Sequence, residues 1–294
     1  MLRVAYQGAP GAYSEEAVVR LWPGAVPVPM RECIDVARAV ERGDADAGVL
    51  AVENTLAGSV FASYDALATC EQVIGVGETI IGIQHCVLAA PGTSLARLRW
   101  VESHPVALAQ CRGFFERHPH LEPRATYDTA GSAMEVARAR DPQRAALASR
   151  IAATRYSLEI LEVDVEDRPD NQTRFVAIAR TPAQRIDGTA ARTILLATVA
   201  NTPGALHRLL GPFAEHELNL SKLESRPTGE PWSYRFIIEI EHTAGDPAMT
   251  QALYAVREMA QSCRILGTYP SVISARSCEE SAEATSPSPP APVR

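Results

Sequence analysis

The chain has 294 residues, of which 46% are hydrophobic and 21% charged, and its formal net charge is −7 at pH 7. This length predicts about two domains, and the composition is typical of a globular protein with a full core. The acidic balance argues against a general nucleic-acid-binding protein, because such proteins carry basic patches. A small anionic ligand is compatible with this balance, since it needs only a local cluster of donors and positive charge.

The six cysteines show neither a CxxC pair nor a regular spacing, which favours reduced thiols over a disulfide framework or a zinc site. The amino terminus begins directly with a strand pattern, and the sequence contains no apolar run of about 18 residues. We therefore expect a cytoplasmic protein without a membrane partner, and we expect no metal site.

Short apolar strands alternate with helical segments from residue 1 to about residue 180. Residues 2–6 alternate as a strand, residues 47–52 form a continuous apolar run, and residues 99–103 have the pattern of a further strand. Ser14 stands where a helix cap is expected after the first strand. This alternation predicts βαβ units and a mostly parallel sheet, with enough units for two lobes.

A different order of elements follows a polar, non-periodic stretch at residues 181–191, which is typical of a linker. Residues 192–273 predict strand, helix, strand, strand, helix and strand, with Thr202–Pro203 as the cap and first residue of the first helix. The order βαββαβ is that of a ferredoxin-like split βαβ domain. Residues 274–294 have too little apolar content to order themselves, and we expect a disordered tail.

Polar residues recur at the ends of predicted strands in the first part of the chain. Those considered are Glu53, Asn54, Thr55, Ser103, His104, Thr129 and Ser132. Ligands of open α/β sheets bind beyond the carboxyl ends of the strands, so this recurrence indicates a pocket. Helix capping explains each cluster equally well when it is taken alone.

Thr173 and Arg174 differ from these residues because they stand at the start of a strand, which runs from Phe175 to Ala179. If this strand is antiparallel to its neighbours, its start lies beside their carboxyl ends and the pair faces the same pocket. The pattern leaves this interpretation and that of a plain strand entrance open. Residues 170–172 are interpreted as the turn before the strand, and His85 as a core or edge histidine.

Several stretches, taken together, resemble bacterial monofunctional prephenate dehydratases over about residues 3–272. They are YQGAPGAYSEEA (6–17), VENTLAGSV (52–60), IQHCVLA (83–89), SHPVALAQC (103–111), DTAGSA (128–133), AALAS (145–149), NQTRF (171–175), PGALHRLL (203–210) and NLSKLESRP (219–227). The order of these stretches, with both TRF and ESRP present, makes the resemblance specific. One departure is Val106, where relatives often carry glutamine; Gln110 remains as the nearby amide.

The resemblance implies a fold and an activity. The expected fold is α/β, with a two-lobed catalytic domain at residues 1–180 that is similar to periplasmic binding proteins, followed by an ACT regulatory domain at residues 192–273. The implied reaction is the decarboxylating dehydration of prephenate to phenylpyruvate, water and CO2 in L-phenylalanine biosynthesis, without a cofactor. The resemblance also implies a homodimer or homotetramer formed through the ACT and catalytic domains.

Within the matched stretches, the resemblance implies Thr173 as the essential catalytic residue. We predict that Thr173 donates a proton or a strong hydrogen bond to the departing hydroxyl, and that Arg174 clamps a substrate carboxylate. Glu53 would repel a dianion, so we expect it to orient Arg174 or another donor. The further residues predicted to bind substrate are Ser14, Asn54, Thr55, Ser103, Gln110, Thr129 and Phe175.

The second domain is expected to bind L-phenylalanine between the ACT domains of two subunits, or else to serve only for oligomerisation. The predicted effector-binding residues are Gly204, Ala205, Leu206, Asn219, Leu220, Ser221, Glu224, Ser225, Arg226 and Pro227. Two other functions remain open for the whole chain. One is an arogenate dehydratase, whose substrate carries an amine in place of the side-chain keto group, and the other is a non-catalytic amino-acid sensor.

Overall fold

The computed structural model describes residues 1–181, 190–229 and 233–272. The described residues form two compact units: the first holds residues 1–73 and 79–181, and the second holds residues 74–78, 190–229 and 233–272. Most of the predicted linker and the whole predicted tail, 274–294, lie outside the described residues.

Lobe 1 of the first unit is a sheet flanked by helices. The elements up to residue 82 are β1 (Arg3–Gln7), α1 (Tyr13–Leu21), β2 (Val26–Met30), α2 (Cys33–Arg42), β3 (Ala47–Asn54), β4 (Gly58–Ser59), α3 (Phe61–Thr69) and β5 (Val73–Gly82). Strand β1 is parallel to both β2 and β3, as the βαβ pattern predicts. The apolar run of β3 is buried on both faces; a Cβ on Gly48 would lie only 2.8 Å from Val36 and 3.0 Å from Ile178.

Lobe 2 is a mixed sheet with its own helices. Its elements are β6 (Cys86–Ala89), β7 (Trp100–Ser103), α4 (Pro105–Ala109), α5 (Arg112–Arg117), β8 (Glu122–Ala125), α6 (Thr129–Ala139), β9 (Arg144–Ala148), α7 (Arg150–Tyr156) and β10 (Glu159–Glu162). The strand order is β10-β6-β9-β7-β8, with β7 parallel to β8 and β9 and with β6 antiparallel to β9 and β10.

The chain returns from lobe 2 to lobe 1 through strand β11 (Gln172–Arg180). Strand β11 is antiparallel to β3, and Thr173 pairs with Asn54 at the carboxyl end of β3. The antiparallel placement that the pocket interpretation of Thr173 required is therefore present. With two α/β lobes joined by a returning strand, the predicted architecture of the first unit is confirmed.

The second unit contains the predicted order βαββαβ. Its elements are β12 (Ala190–Thr198), α8 (Ala205–Glu215), β13 (Asn219–Pro227), β14 (Tyr234–Thr243), α9 (Pro247–Met259) and β15 (Ser262–Pro270). The strands are antiparallel in the order β13-β14-β12-β15. Leu209 and Phe213 of α8 and Val256 of α9 are fully buried in one core with the sheet, as their helical spacing predicts.

Two predicted helix starts need correction. Helix α1 begins at Tyr13, so Ser14 lies inside its first turn and the cap position belongs to Ala12. Helix α8 begins at Ala205 rather than at Pro203. The reason is that the Ala205 N–H donates to the Thr202 carbonyl at 3.1 Å and Gly204 adopts a left-handed φ of 76° as the cap residue.

A buried ionic cluster lies in the second unit around Arg192, whose side chain is 3% exposed. Its guanidinium contacts Glu239 at 3.3 Å, Glu241 at 2.9 Å and Glu78 at 3.9 Å. The Glu78 carboxylate also accepts hydrogen bonds from the Ser271 hydroxyl and the Val272 N–H. Each of these contacts offsets part of the desolvation free energy of the buried charges.

Within the described residues, no helix combines the length and the apolar character needed to span a membrane. The same residues contain no group of three or more His, Cys, Asp or Glu side chains placed to hold a metal ion. Cys33, Cys86, Cys111 and Cys263 are thiols rather than disulfide partners.

Candidate active site

A cavity of about 740 Å³ is lined by residues of both lobes of the first unit. Lobe 1 contributes the carboxyl end of β3, the start of β11 and residues from α1, α2 and α3. Lobe 2 contributes residues from α4 and the start of α6. Strand ends and helix starts form this lining, which is where open α/β sheets bind their ligands.

The cavity brings together six of the ten residues that the sequence predicts for catalysis and substrate binding. They are Ser14, Asn54, Gln110, Thr129, Thr173 and Phe175. The described lining does not include Glu53, Thr55, Ser103 or Arg174. Sequence stretches that are more than 100 residues apart thus meet at one site.

Thr173 lies at the cavity wall with its hydroxyl held by Asn54. The Asn54 Nδ2 donates to Thr173 Oγ1 at 2.9 Å. The Asn54 amide has only one possible orientation, because its Oδ1 accepts hydrogen bonds from the N–H groups of Leu56 at 3.0 Å and Ala57 at 2.8 Å. Thr173 Oγ1 is therefore the acceptor in this pair, and its own proton remains available to another group.

The same amide continues into a chain of neutral polar side chains. Asn54 Nδ2 also donates to Asn171 Oδ1 at 2.8 Å, and Asn171 Nδ2 donates to Gln110 Oε1 at 3.1 Å. Asn171 is 1% exposed, so the residue interpreted as part of a turn is in fact a buried member of this network. Gln110 is anchored by its backbone as well, since its carbonyl accepts the Asp167 N–H at 2.7 Å.

His85 lies at the far end of this chain and lines the cavity. It is 2% exposed, which agrees with the predicted burial, but its ring has polar partners. Its Nε2 lies 3.3 Å from Gln110 Oε1, and its Nδ1 lies 3.3 Å from Tyr13 Oη. Burial lowers the pKa of His85 and raises the pKa of Tyr13, so both rings are neutral near pH 7.

Arg174 points away from Thr173, because successive side chains of a strand alternate between its two faces. Its Nη2 donates to Glu53 Oε2 at 3.0 Å; the side chain of Arg174 is 4% exposed and that of Glu53 is 41% exposed. The predicted contact between Glu53 and Arg174 is thus present. The placement of Arg174 does not support the predicted carboxylate clamp, since Thr173 and Phe175 are the β11 residues that line the cavity.

Thr55 and Ser103 have structural partners outside the cavity lining. The Thr55 hydroxyl accepts the Gln172 N–H at 3.0 Å and so joins the end of β3 to the start of β11. Ser103 is fully buried, and its hydroxyl donates to the Leu147 carbonyl at 2.7 Å. Both residues stand at strand ends as predicted, but their side chains connect strands instead of lining the cavity.

Several helices begin at the cavity wall. Helices α1, α2, α3 and α6 all place first-turn residues in the lining. At α1, the cap residue Ala12 provides no side-chain hydrogen bond, and the N–H groups of Tyr13 and Ser14 have no partner within the helix. An anion near one helix start gains about 0.3–1 kcal/mol from the dipole.

Acidic residues also line the cavity. The described lining contains Glu32, Asp65 and Asp128, together with Arg31. Asp128 caps α6, because its Oδ1 accepts the Gly131 N–H at 2.7 Å. Burial raises the pKa of the Asp128 carboxyl above its ordinary value, and hydrogen bonds from backbone N–H groups partly oppose this shift.

His104, which the predicted site omits, also lines the cavity. Its Nδ1 accepts the Val106 N–H at 3.2 Å and so caps α4. Val106, the position that departs from the family pattern, is 41% exposed in the same wall. The position of His104 directly after a strand end is the sequence signal that places it beside Ser103 among the polar residues there.

The predicted effector residues occupy two places in the second unit. Gly204, Ala205 and Leu206 form the cap and first turn of α8, and the residues from Asn219 to Pro227 form β13 at the edge of the sheet. Strand alternation places Glu224 and Arg226 on the opposite face from Ser225.

The fold and the cavity define a class: a two-lobed α/β enzyme for a small polar substrate, followed by a βαββαβ regulatory domain. A family model described as prephenate dehydratase matches residues 4–183, and one described as ACT domain matches residues 193–258. The chain therefore belongs to the prephenate dehydratase family and has an ACT domain. The resemblance and the activity class predicted from the sequence are confirmed.

Individual relatives agree with this assignment. Arogenate dehydratase/prephenate dehydratase 2, chloroplastic, of Arabidopsis thaliana is 38% identical over 279 residues, which cover 92% of this chain and 73% of the relative. A structure of prephenate dehydratase in complex with L-Phe from Arthrobacter aurescens has a TM-score of 0.85 at 28% identity and covers 96% of this chain and 99% of its own. A structure described as GqqA, a novel type of quorum quenching acylase, has a TM-score of 0.84 at 36% identity, with 92% and 99% covered.

Proposed function

We propose that the cavity converts prephenate to phenylpyruvate, carbon dioxide and water, as a step of L-phenylalanine biosynthesis. The observation that carries this proposal is the Thr173 hydroxyl, which lines the cavity and accepts a hydrogen bond from Asn54 Nδ2 at 2.9 Å. Family membership supports the choice of substrate, and the direction of this hydrogen bond supports the role of the hydroxyl.

The reaction breaks two bonds at the substrate ring. The C–C bond to the ring carboxylate breaks and releases CO2, and its electron pair moves through the ring to expel the C4 hydroxyl. The hydroxyl leaves as hydroxide, which takes up a proton from solvent and becomes water. Because the ring becomes aromatic, the protein has to bind two carboxylates, orient the ring and support the departing oxygen.

Thr173 supplies this support in the proposed mechanism. Its oxygen accepts from Asn54, so its proton is free to point to the C4 hydroxyl of a bound substrate. A hydrogen bond that strengthens as negative charge grows on the leaving oxygen stabilises the transition state more than the ground state. A positioned acid or hydrogen-bond donor of this kind typically contributes roughly 10²–10⁴ in rate.

The start of α1, the Ser14 and Thr129 hydroxyls and the Gln110 amide bind the two carboxylates in this proposal, and Phe175 forms an apolar wall for the ring. We assign the Arg174–Glu53 pair a different role, which is to fix the start of β11 beside Thr173. Backbone N–H groups at helix starts are suitable partners for carboxylates, because the helix dipole favours negative charge there.

Arogenate is a second candidate substrate, and the acidic lining favours it. Arogenate carries an ammonium group where prephenate carries a keto group, and Glu32, Asp65 and Asp128 all face the cavity. A carboxylate beside an ammonium forms a charge-assisted hydrogen bond, whereas a keto group gains nothing from a carboxylate.

One experiment separates these functions. The purified protein is incubated with prephenate and, separately, with arogenate, and the products are identified by mass spectrometry. Formation of phenylpyruvate from prephenate supports the first proposal, and preferred formation of phenylalanine from arogenate supports the second. Binding of either compound without turnover would support the amino-acid sensor and contradict both.

The acylase neighbour does not lead us to propose acyl transfer for this chain. A hydroxyl that attacks an acyl group needs a base to take its proton. In the described cavity, the Thr173 hydroxyl faces the Asn54 Nδ2, which is a donor and cannot accept that proton. The same contact suits a hydroxyl that donates, which favours the lyase reaction.

We propose further that L-phenylalanine regulates the enzyme by binding at the ACT domain. The Arthrobacter aurescens neighbour, a prephenate dehydratase in complex with L-Phe, supports L-phenylalanine as the ligand. The α8 start at Gly204, Ala205 and Leu206 offers N–H groups to the carboxylate of the amino acid. The residues of β13 complete the site in this proposal. Unchanged substrate saturation over a wide range of phenylalanine concentrations would contradict the regulatory role.

The remaining proposals concern assembly, location and domain boundaries. We propose a homodimer or homotetramer, and light scattering coupled to size-exclusion chromatography would measure its mass. We also propose a cytoplasmic location, which agrees with Cys86 and Cys111 being thiols. The proposed domains are the catalytic domain at residues 1–180 and the ACT domain at residues 192–273.

A further inference from the structure

The polar chain that begins at Thr173 ends at His85, in the wall of the cavity. We propose that His85 is a positioning residue, whose Nε2–H holds the Gln110 oxygen so that the Gln110 Nε2 faces the substrate as a donor. This inference rests on the proposed dehydratase reaction, because it assigns a second neutral donor to the same cavity.

The direction of every hydrogen bond in the chain follows from the backbone of lobe 1. The N–H groups of Leu56 and Ala57 donate to Asn54 Oδ1, which places Asn54 Nδ2 on the side of Asn171. Asn171 Oδ1 accepts from that nitrogen, and so Asn171 Nδ2 must face Gln110. Gln110 Oε1 accepts this hydrogen bond at 3.1 Å.

The orientation of Gln110 then determines the tautomer of His85. Gln110 Oε1 has no proton to give, so the contact of 3.3 Å to His85 Nε2 is a hydrogen bond only if Nε2 carries the proton. In the neutral ring, Nδ1 is then unprotonated and lies 3.3 Å from Tyr13 Oη. The Tyr13 hydroxyl donates to the Gln84 carbonyl at 2.5 Å, but it carries a proton that it can share with Nδ1, whereas Gln110 Oε1 has none to share with Nε2. His85 is 2% exposed, so water cannot easily replace Gln110 as the partner of Nε2.

The Gln110 amide consequently presents its nitrogen away from His85. Gln110 Nε2 makes only a long contact of 3.5 Å to Asn54 Oδ1, and Gln110 lines the cavity. Two hydrogen bonds to Gln110 Oε1, from Asn171 and His85, oppose rotation of this amide. Without the hydrogen bond from His85, rotating the Gln110 amide would require less free energy. The Gln110 oxygen could then face the anionic substrate in place of the nitrogen.

Two variants of His85 separate positioning from simple packing. In His85→Gln, the new amide nitrogen reaches the place of Nε2 and still donates to Gln110. In His85→Asn, the shorter amide reaches only the place of Nδ1 and leaves Gln110 without this donor. We expect kcat for prephenate to stay within about threefold of wild type in His85→Gln and to fall about tenfold in His85→Asn, the effect of roughly one hydrogen bond.

A His85→Asn variant with wild-type kcat would overturn the proposal, as would a His85→Gln variant that is impaired to the same extent. Nitrogen NMR of the histidine rings in the wild-type protein provides a test that requires no variant to be active. We expect the His85 signal to show a protonated Nε2, and a protonated Nδ1 with a bare Nε2 would also overturn it. Failure of the dehydratase proposal would appear differently, as a wild-type protein that turns over neither prephenate nor arogenate.

Discussion

The first unit and the second unit each contain a buried polar network, and the two networks differ in charge. In the first unit, Thr173, Asn54, Asn171 and Gln110 form a neutral chain of amides and a hydroxyl. In the second, Arg192 is surrounded by carboxylates at distances from 2.9 to 3.9 Å. The neutral network lines a cavity, whereas the ionic network lies among buried side chains.

This difference shows how a buried network can be available to a ligand. In the neutral chain, each amide orientation is fixed by its neighbour, which leaves the Thr173 proton and the Gln110 nitrogen available to a ligand in the cavity. In the ionic cluster, charges of opposite sign satisfy one another, which suits a structural role. Changes in the first network should therefore alter turnover, and changes in the second should alter stability.

The largest expected effect follows removal of the Thr173 hydroxyl. Thr173→Val keeps the shape of the side chain and removes the donor to the leaving oxygen, so kcat for prephenate should fall by roughly 10²–10⁴. Steady-state kinetics measures the loss, and Thr173→Ser is the matched control because it keeps a hydroxyl on the same Cβ. Turnover by Thr173→Val close to the wild-type rate would show that this hydroxyl is not catalytic.

The next effect concerns the ionic cluster and appears in stability. Arg192→Met removes the shared cation and leaves buried carboxylates without their partner, which typically costs about 3–5 kcal/mol. We expect the free energy of unfolding, measured with urea, to decrease by this amount. Arg31→Met, which changes a cation outside the cluster, is a control for loss of charge alone. Equal stability of Arg192→Met and wild type would mean that the cluster is not a structural network.

A smaller loss of turnover is expected when the direction of the neutral chain is reversed. Asn54→Asp has nearly the same shape, but it replaces the donor to Thr173 with an acceptor. The Thr173 proton would then turn to the introduced carboxylate instead of the substrate, and kcat should fall by about 10², near the lower end of the range for a lost donor. An active Asn54→Asp variant with unchanged kcat would show that the direction of this hydrogen bond is unimportant.

The sequence predicts the architecture of both units because their periodicity is strong. The buried run at 47–52 becomes β3, and the spacing of Leu209 and Phe213 predicts the buried face of α8. Helix starts are harder to predict, since Gly204 rather than Thr202 caps α8. A local cap pattern competes there with a left-handed glycine, and tertiary context determines the outcome.

Only part of the site could be predicted from the sequence. Thr173 and Asn54 are found because both lie at strand ends that meet when β11 is antiparallel to β3. The predicted role of Arg174 stays a prediction, and its place outside the described lining could not be read from the sequence because the cavity face of β11 is known only once the lobes are assembled. Asn171 and His85 resemble a turn residue and a core residue, and their roles depend on contacts with Gln110 from another lobe.

The smallest expected effect is a pH dependence of stability caused by His85. Burial lowers the pKa of His85 in the folded state, so the unfolded chain takes up a proton first as the pH decreases below about 6.5. The unfolded state binds more protons in that window, and the free energy of unfolding must therefore decrease with decreasing pH. We expect a smaller decrease in His85→Gln, measured by urea unfolding between pH 7 and pH 5, because the other histidines contribute equally to both proteins. Parallel pH profiles for the two proteins would mean that His85 titrates normally, in contradiction with its burial between Tyr13 and Gln110.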